Sequence, residues 1–172
     1  MQVLGMPGPE QVLTVEYYWD GPKTGVARFK REPHVYECVF DDRLDEWSWF
    51  YLLKLIDPET LRVVMERWQI WIRWEEAHHT GRTTMSTHPA LPADRPRWLQ
   101  LTRILDSKLE VSASSDLAAN AEFERLGPPG ASGPWSVMWS TVDRASLGHV
   151  ARGGSFLQSP DINPDLYQRR YV

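Results

Sequence analysis

The chain has 172 residues, a length that fits one domain, and its formal net charge of −4 argues against a general attraction to nucleic acid or acidic membranes. No apolar run approaches the roughly 20 residues that span a bilayer, so we expect no membrane insertion. A single cysteine excludes an internal disulfide framework. Because the first residues also lack the features of a signal peptide, we expect a cytoplasmic protein.

The first third of the chain predicts four β-strands. Apolar and polar residues alternate from Gln11 to Trp19, which is typical of a half-buried strand. A turn rich in Gly and Pro precedes a short strand at Val26–Lys30, and Val35–Phe40 alternates again. Trp49–Ile56 is almost continuously apolar, as expected of a strand covered on both faces. The short connections favour an antiparallel meander.

A long helix is predicted between Ile56 and Arg82. Asp57 is a good N-cap and Pro58 suits the first helical position, while Gly81 can end the helix in a left-handed conformation. Three tryptophans fall within seven residues of this segment, and each indole can bury roughly 150–250 Å². Apolar residues on two sides indicate a helix packed between a sheet and another element.

Residues 87–142 are predicted to form two smaller helices and one strand. A proline-rich loop at 87–96 leads to a helix that Asp94 can cap and that ends near Leu109. A weaker third helix is predicted around residues 115–127, where Gly and Pro stop it. Trp135–Val142 alternates once more, as a strand that returns to the edge of the sheet.

These elements predict an α+β fold, in which an antiparallel sheet of four to five strands packs on the long Trp-rich helix and two smaller helices. We expect residues 1–142 to form a single domain. Residues 143–172 are rich in Gly, Pro, Ser and Arg and show no period, so they are predicted to form an extended C-terminal tail.

Metal chemistry finds weak support in the sequence. Glu75 and His79 lie one helical turn apart, and His88 in the proline-rich loop is a conceivable third ligand. The two histidines separated by four residues that zinc-binding helices usually carry are absent. Positive charge at a helix C-terminus explains His78 and His79 more simply. We therefore predict neither a metal nor another cofactor.

Two further groups of polar residues are candidates for a functional site. Cys38 shares a predicted strand face with His34, an arrangement that permits a thiol–imidazole nucleophile, although a lone cysteine more often fills a core. The acidic turn between residues 41 and 46 lacks the spacing of a calcium loop and suits a solvated turn or a docking patch for a basic partner. The phosphate-binding, dinucleotide-binding and nucleophile-elbow motifs are all missing.

The N-terminal half also resembles a group of small uncharacterised bacterial proteins. In these, a tyrosine-rich strand, a DGP turn with a following Gly and a strand of the pattern YEC.FD lead to a Trp-rich helix. The similarity covers roughly residues 14–92 and implies a bacterial, cytoplasmic protein without implying an activity. The matching positions are Tyr17, Asp20, Gly21, Pro22, Gly25, Pro33, His34, Tyr36, Glu37, Cys38, Phe40 and Asp41.

Missing catalytic motifs and nine tryptophans together favour a binding protein that is not an enzyme, such as an accessory or immunity-like subunit of a bacterial assembly. Its partner would be another protein or a second copy, held through exposed aromatics and the tail. The predicted contact residues are Trp19, Trp47, Trp74, Trp139, Phe156, Tyr167, Arg169, Arg170 and Tyr171. The alternative is a small-molecule enzyme or sensor with a pocket between sheet and helix, lined by His34, Tyr36, Glu37, Glu75 and His79.

Overall fold

Six antiparallel strands form a closed barrel in the computed structural model, which describes residues 8–111, 117–127 and 133–142. Each strand pairs with the next one along the chain, and β1 pairs with β6, so that the sheet has no free edge. Val12 opposite Trp135 is one of the closing pairs. The strands are β1 (Glu10–Tyr18), β2 (Pro22–Phe29), β3 (Glu32–Asp41), β4 (Glu46–Leu55), β5 (Leu117–Arg125) and β6 (Trp135–Thr141).

A helical segment is inserted between β4 and β5. It contains α1 (Pro58–His79), a short 3-10 helix (Met85–Thr87) and α2 (Arg95–Leu105). The described residues accordingly divide into two compact units, the barrel (8–55 and 111–142) and the helical unit (56–110).

The predicted open sheet of four to five strands packed on three helices is wrong. The described residues contain a closed six-stranded barrel and two α-helices, and the segment predicted as the third helix is β5. Its sequence, LAANAEFER, is rich in good helix formers, but pairing with β4 on one side and β6 on the other satisfies its backbone as a strand. The four strands predicted in the first third of the chain and the strand predicted at residues 135–142 are confirmed.

Four aromatic side chains fill the interior of the barrel. We call Tyr36, Tyr51, Phe123 and Trp139 the aromatic quartet, because every pair of these rings is in contact, with centroids between 5.4 and 6.3 Å apart. The interplanar angles lie between 49° and 77°, in the tilted and edge-on range that aromatic quadrupoles favour. The four rings come from β3, β4, β5 and β6. The quartet therefore connects these four consecutive strands, which form one wall of the barrel, through contacts in the core.

Hydrogen bonds tie the quartet to the other wall. Each of its three polar groups donates to a backbone carbonyl oxygen of β1 or β2, which satisfies donors that burial would otherwise leave without water. The bonds are Tyr36 Oη to Thr14 (3.0 Å), Tyr51 Oη to Pro22 (2.9 Å) and Trp139 Nε1 to Arg28 (2.8 Å). All six strands are therefore connected through these four side chains.

A helix cap and an ion pair stabilise the helical unit. Asp57 caps α1, accepting from the Thr60 N–H at 2.7 Å, as predicted. Asp94 was expected to cap α2, but its side chain makes no capping bond and instead binds the Arg73 guanidinium through two bonds of 2.8 and 3.1 Å. This bidentate pair connects α1 to the start of α2.

Candidate functional site

The two ends of the barrel differ in charge. In an antiparallel meander, the β1–β2, β3–β4 and β5–β6 connections lie at the same end, which we call the hairpin end. Its β3–β4 turn, with the flanking strand ends, carries four carboxylates and one arginine between Asp41 and Glu46. The β2–β3 turn at the opposite end presents Lys30 and Arg31, both exposed. The hairpin end is therefore the acidic end.

A bulge in β4 lies next to this turn. Cys38 pairs with Tyr51, and the next pair along the strands is Phe40 with Trp47. One residue of β3, between Cys38 and Phe40, therefore lies opposite three residues of β4, 48–50. The Ser48 hydroxyl accepts from the Phe50 N–H at 3.1 Å and lies 3.3 Å from the Phe50 carbonyl oxygen, which fixes the ends of the bulge. Bulges of this kind redirect side chains.

Trp49 occupies the centre of that bulge and is 82% exposed. The sequence did not single out this residue, because it reads as the first member of an apolar strand. This exposure is unusual for an indole, which is highly buried on average. Trp19, in the β1–β2 turn, is also at the hairpin end and is 38% exposed.

Three aromatic rings cluster at the same end, and a cation lies over one of them. The Trp47 ring lies 5.9 Å from that of Tyr17 and 5.2 Å from that of Phe40, which it meets edge-on. The Lys23 ammonium is 5.6 Å from the centroid of the Trp47 ring. All four residues are partly exposed. We call Tyr17, Phe40 and Trp47 the Trp47 cage.

The structure separates the predicted contact residues into two groups. Trp19 and Trp47 lie at the hairpin end, where a partner can reach them. Trp74 is fully buried in the helical unit, stacked on His78 and donating to Thr87 Oγ1 at 3.0 Å, and Trp139 belongs to the aromatic quartet. These two indoles are core residues. Phe156, Tyr167, Arg169, Arg170 and Tyr171 lie outside the described residues.

The five residues of the predicted pocket are divided between the two units. His34, Tyr36 and Glu37 lie on β3 in the barrel, whereas Glu75 and His79 lie on α1. Tyr36 is completely buried and its hydroxyl already donates to Thr14, while Glu37, its neighbour on the strand, faces the other side of the sheet. Inside the barrel, the other three rings of the aromatic quartet pack against Tyr36.

A thiol–imidazole nucleophile does not form. His34 and Cys38 are four positions apart on an extended strand, a distance of about 13 Å. His34 Nδ1 lies 2.9 Å from the Glu32 carbonyl oxygen, and Cys38 Sγ donates to the Ser48 carbonyl at 3.3 Å. Burial raises the pKa of the Cys38 thiol to about 11, against a smaller opposing effect of the Lys23 ammonium. The protonated thiol acts as core filling at neutral pH.

The stability of the barrel should fall as the pH rises from about 9 to 11. In this window Cys38 has lost its proton in the unfolded chain but retains it in the barrel, so the unfolded state binds fewer protons and the free energy of unfolding decreases. Burial also raises the pKa of Tyr36 and of Tyr51, which extends the loss to higher pH. Urea midpoints at pH 8, 9.5 and 11 measure the fall. Cys38→Ala should lose less stability than the wild type over this range, and parallel curves would contradict the prediction.

Among the described residues, no group of three or more histidine, cysteine, aspartate or glutamate side chains is placed to hold a metal ion. The His88 and Trp74 rings form an edge-on pair, with centroids 4.6 Å apart. Over residues 8–111, 117–127 and 133–142, no helix combines the length and the apolar character that crossing a membrane requires.

Comparisons of the chain with family models, with curated proteins and with solved structures gave no match. The similarity of residues 14–92 to small bacterial proteins therefore remains a prediction.

Proposed function

We propose that the protein is a binding subunit of a bacterial assembly, without catalytic activity, and that it holds its partner at the hairpin end. The observation that carries this proposal is the exposure of Trp49, 82%, on a bulge closed by Ser48. Tryptophan is the residue type most enriched among those that dominate binding energies, because one rigid indole buries a large area at a small entropic cost.

Trp19 supplies a second contact, and the acidic turn supplies the rim. Exposed aromatic residues surrounded by charged ones reproduce the usual arrangement of an interface, with an apolar centre and a polar periphery. Because four of the five charged groups between Asp41 and Glu46 are carboxylates, the complementary partner surface is basic. Opposite charge accelerates the encounter, and burial of the indoles slows dissociation.

The barrel makes this surface rigid. β1–β4 carry the contact residues, and the aromatic quartet connects their walls through the core. Asp41 is buried and accepts from the Arg43 N–H at 3.0 Å, which fixes the first part of the acidic turn. A rigid platform loses little conformational entropy on binding, so that more of the contact energy appears as affinity.

Residues 143–172 are the second part of the proposal. Their aromatic and arginine residues have the composition of a contact segment, and they include Phe156, Tyr167, Arg169, Arg170 and Tyr171. We propose that this segment adds contacts to the same partner.

The test uses matched baits in a quantitative pull-down from the native cell, followed by affinity measurement with the purified partner. Trp19→Ser with Trp49→Ser should weaken the complex at least about 30-fold, the equivalent of roughly 2 kcal/mol for one dominant contact. Leu55→Ser is the control, because Leu55 is 55% exposed at the other end of β4. A bait lacking residues 143–172 measures the contribution of that segment.

Two outcomes would contradict the proposal. A partner that binds the double variant as tightly as the wild type would show that the hairpin end is not the contact surface. Equal losses for the double variant and for Leu55→Ser would show that the effect is not specific to that end. Circular dichroism of each bait establishes that the barrel is folded in both cases.

A further inference from the structure

The Trp47 cage is assembled from three separate strands. Tyr17 comes from β1, Phe40 from β3 and Trp47 from β4, and the Tyr17 and Phe40 rings pack against the Trp47 ring. The Lys23 ammonium, from β2, lies over the Trp47 ring. The face of an aromatic ring carries negative potential, so rings grouped in this way favour a positive charge over a neutral group. The position of Lys23 shows that the face of the Trp47 ring accommodates a cation.

Carboxylates strengthen this preference. The strand register places the pair Asp41–Glu46 directly beside the pair Phe40–Trp47. Burial opposes ionisation of Asp41, but the hydrogen bonds and the charge of Arg43 hold the pKa of that carboxyl below its usual value. Asp41 therefore stays ionised across the neutral range, where it pairs with Arg43 at 3.5 Å. The excess negative charge near the Trp47 cage comes from the other carboxylates of the acidic turn.

We propose that the Trp47 cage recognises a lysine or arginine side chain of the partner protein, and that Lys23 is a resident cation which the partner displaces. This inference rests on the proposed function and names the chemistry of the partner. Lys23 keeps the rings covered while the surface is free. The incoming cation takes its place over Trp47, and Trp49 and Trp19 then contact the apolar residues beside that cation.

The charge distribution of the chain favours a different protein over a second copy. A second copy carries the same net charge of −4, and the exposed cation pair of its β2–β3 turn lies at the opposite end of the barrel. There, the Lys30 ammonium is 5.4 Å from the centroid of its own Phe29 ring. The Lys30 and Arg31 N–H groups donate to the Glu10 carboxylate at 2.7 and 3.1 Å, which fixes the turn. A contact between opposite ends would also be head to tail, which generates a ring or an open filament and not a closed dimer.

Titration of the full chain with a peptide of alternating glycine and lysine tests the inference. The readout is the indole N–H resonance of Trp47 in a proton–nitrogen correlation spectrum, and the buried Trp139 resonance is the internal reference. Lys23→Met retains the aliphatic stem without the charge and should tighten peptide binding roughly two- to fivefold, as expected for one cation–π contact. Lys23→Arg keeps a resident cation and should bind as the wild type does. The same peptide with acetylated lysines should leave Trp47 unshifted.

Several results would overturn the inference. They are an unchanged or weaker affinity of Lys23→Met, and an equal shift of Trp47 with the acetylated peptide. Concentration-dependent self-association that Lys30→Glu with Arg31→Glu abolishes would also overturn it, because the occupant would then be a second copy. If the Trp19 and Trp49 variants lose the native partner while Lys23→Met leaves the affinity for that partner unchanged, the proposed function stands and this inference falls. If the native partner tolerates the double variant, the proposed function itself fails.

Discussion

Gly25→Ala is expected to destabilise the barrel by about 3 kcal/mol or more, a loss at the upper end of what overpacking produces. Gly25 pairs with Val15 on one side and with Tyr36 on the other. A Cβ at this position would overlap the Thr14 carbonyl oxygen and would lie 2.6 Å from Tyr36 Oη. Those two atoms form the hydrogen bond that anchors Tyr36 to β1, so neither can move without losing it.

Urea denaturation of three further variants separates the causes of this loss. Gly8→Ala is the control, since a Cβ at Gly8 meets no atom within 4 Å, and it should change stability by less than about 0.5 kcal/mol. Tyr36→Phe should cost about 1–2 kcal/mol by removing the buried hydroxyl donor. Combining Gly25→Ala with Tyr36→Phe relieves the contact with the hydroxyl but not the backbone overlap, so most of the loss should remain. A Gly25→Ala protein as stable as the wild type would contradict this account of the core.

The elements that could be predicted are those whose signals are local. Alternating residues identified β1 and β6, since a sheet with one buried face demands a period of two. Asp57, Pro58 and Glu59 identified the start of α1 because each satisfies a requirement of the first helical turn. The Asp94 cap failed because capping competed with a bidentate ion pair to Arg73, a residue 21 positions away.

Closure of the barrel depends on information that is not local. The segment 117–125 contains three alanines and two glutamates, which favour a helix in isolation. Its strand conformation follows from β4 and β6, which satisfy its backbone on both sides. Since β4 and β5 are separated by the whole helical insertion, no window of the sequence contains both. The prediction of an open sheet followed because this one strand was predicted as a helix.

The candidate site was predictable only in part. Trp19 and the acidic turn were visible as an aromatic residue and a charged run at the ends of strands. The exposure of Trp49 was not, because it depends on the register between β3 and β4, which shifts by two residues between Cys38 and Phe40. Trp49 would have joined the core side of β4 without that shift.

Trp139→Ala should cost about 3–5 kcal/mol, as expected for the removal of a large aromatic side chain from a packed core. The Trp139 ring contacts the other three members of the quartet and also Phe29, and its Nε1 donates to the Arg28 carbonyl. The substitution therefore opens a cavity where four strands meet. It also removes the bond that ties β6 across the core to β2.

Met138→Ala is the matched control, because Met138 is the preceding residue of β6, faces the outside and is 44% exposed. It should change the free energy of unfolding by less than about 0.5 kcal/mol. Trp139→Phe keeps an aromatic ring but loses the N–H donor and part of the volume, so its cost should lie between the two. Urea denaturation of the three variants gives this order directly. If Trp139 were a partner contact and not a core residue, Trp139→Ala would leave stability unchanged and weaken only the complex. The measurement therefore separates the indoles that hold the barrel together from Trp19 and Trp49, whose replacement should affect binding without affecting folding.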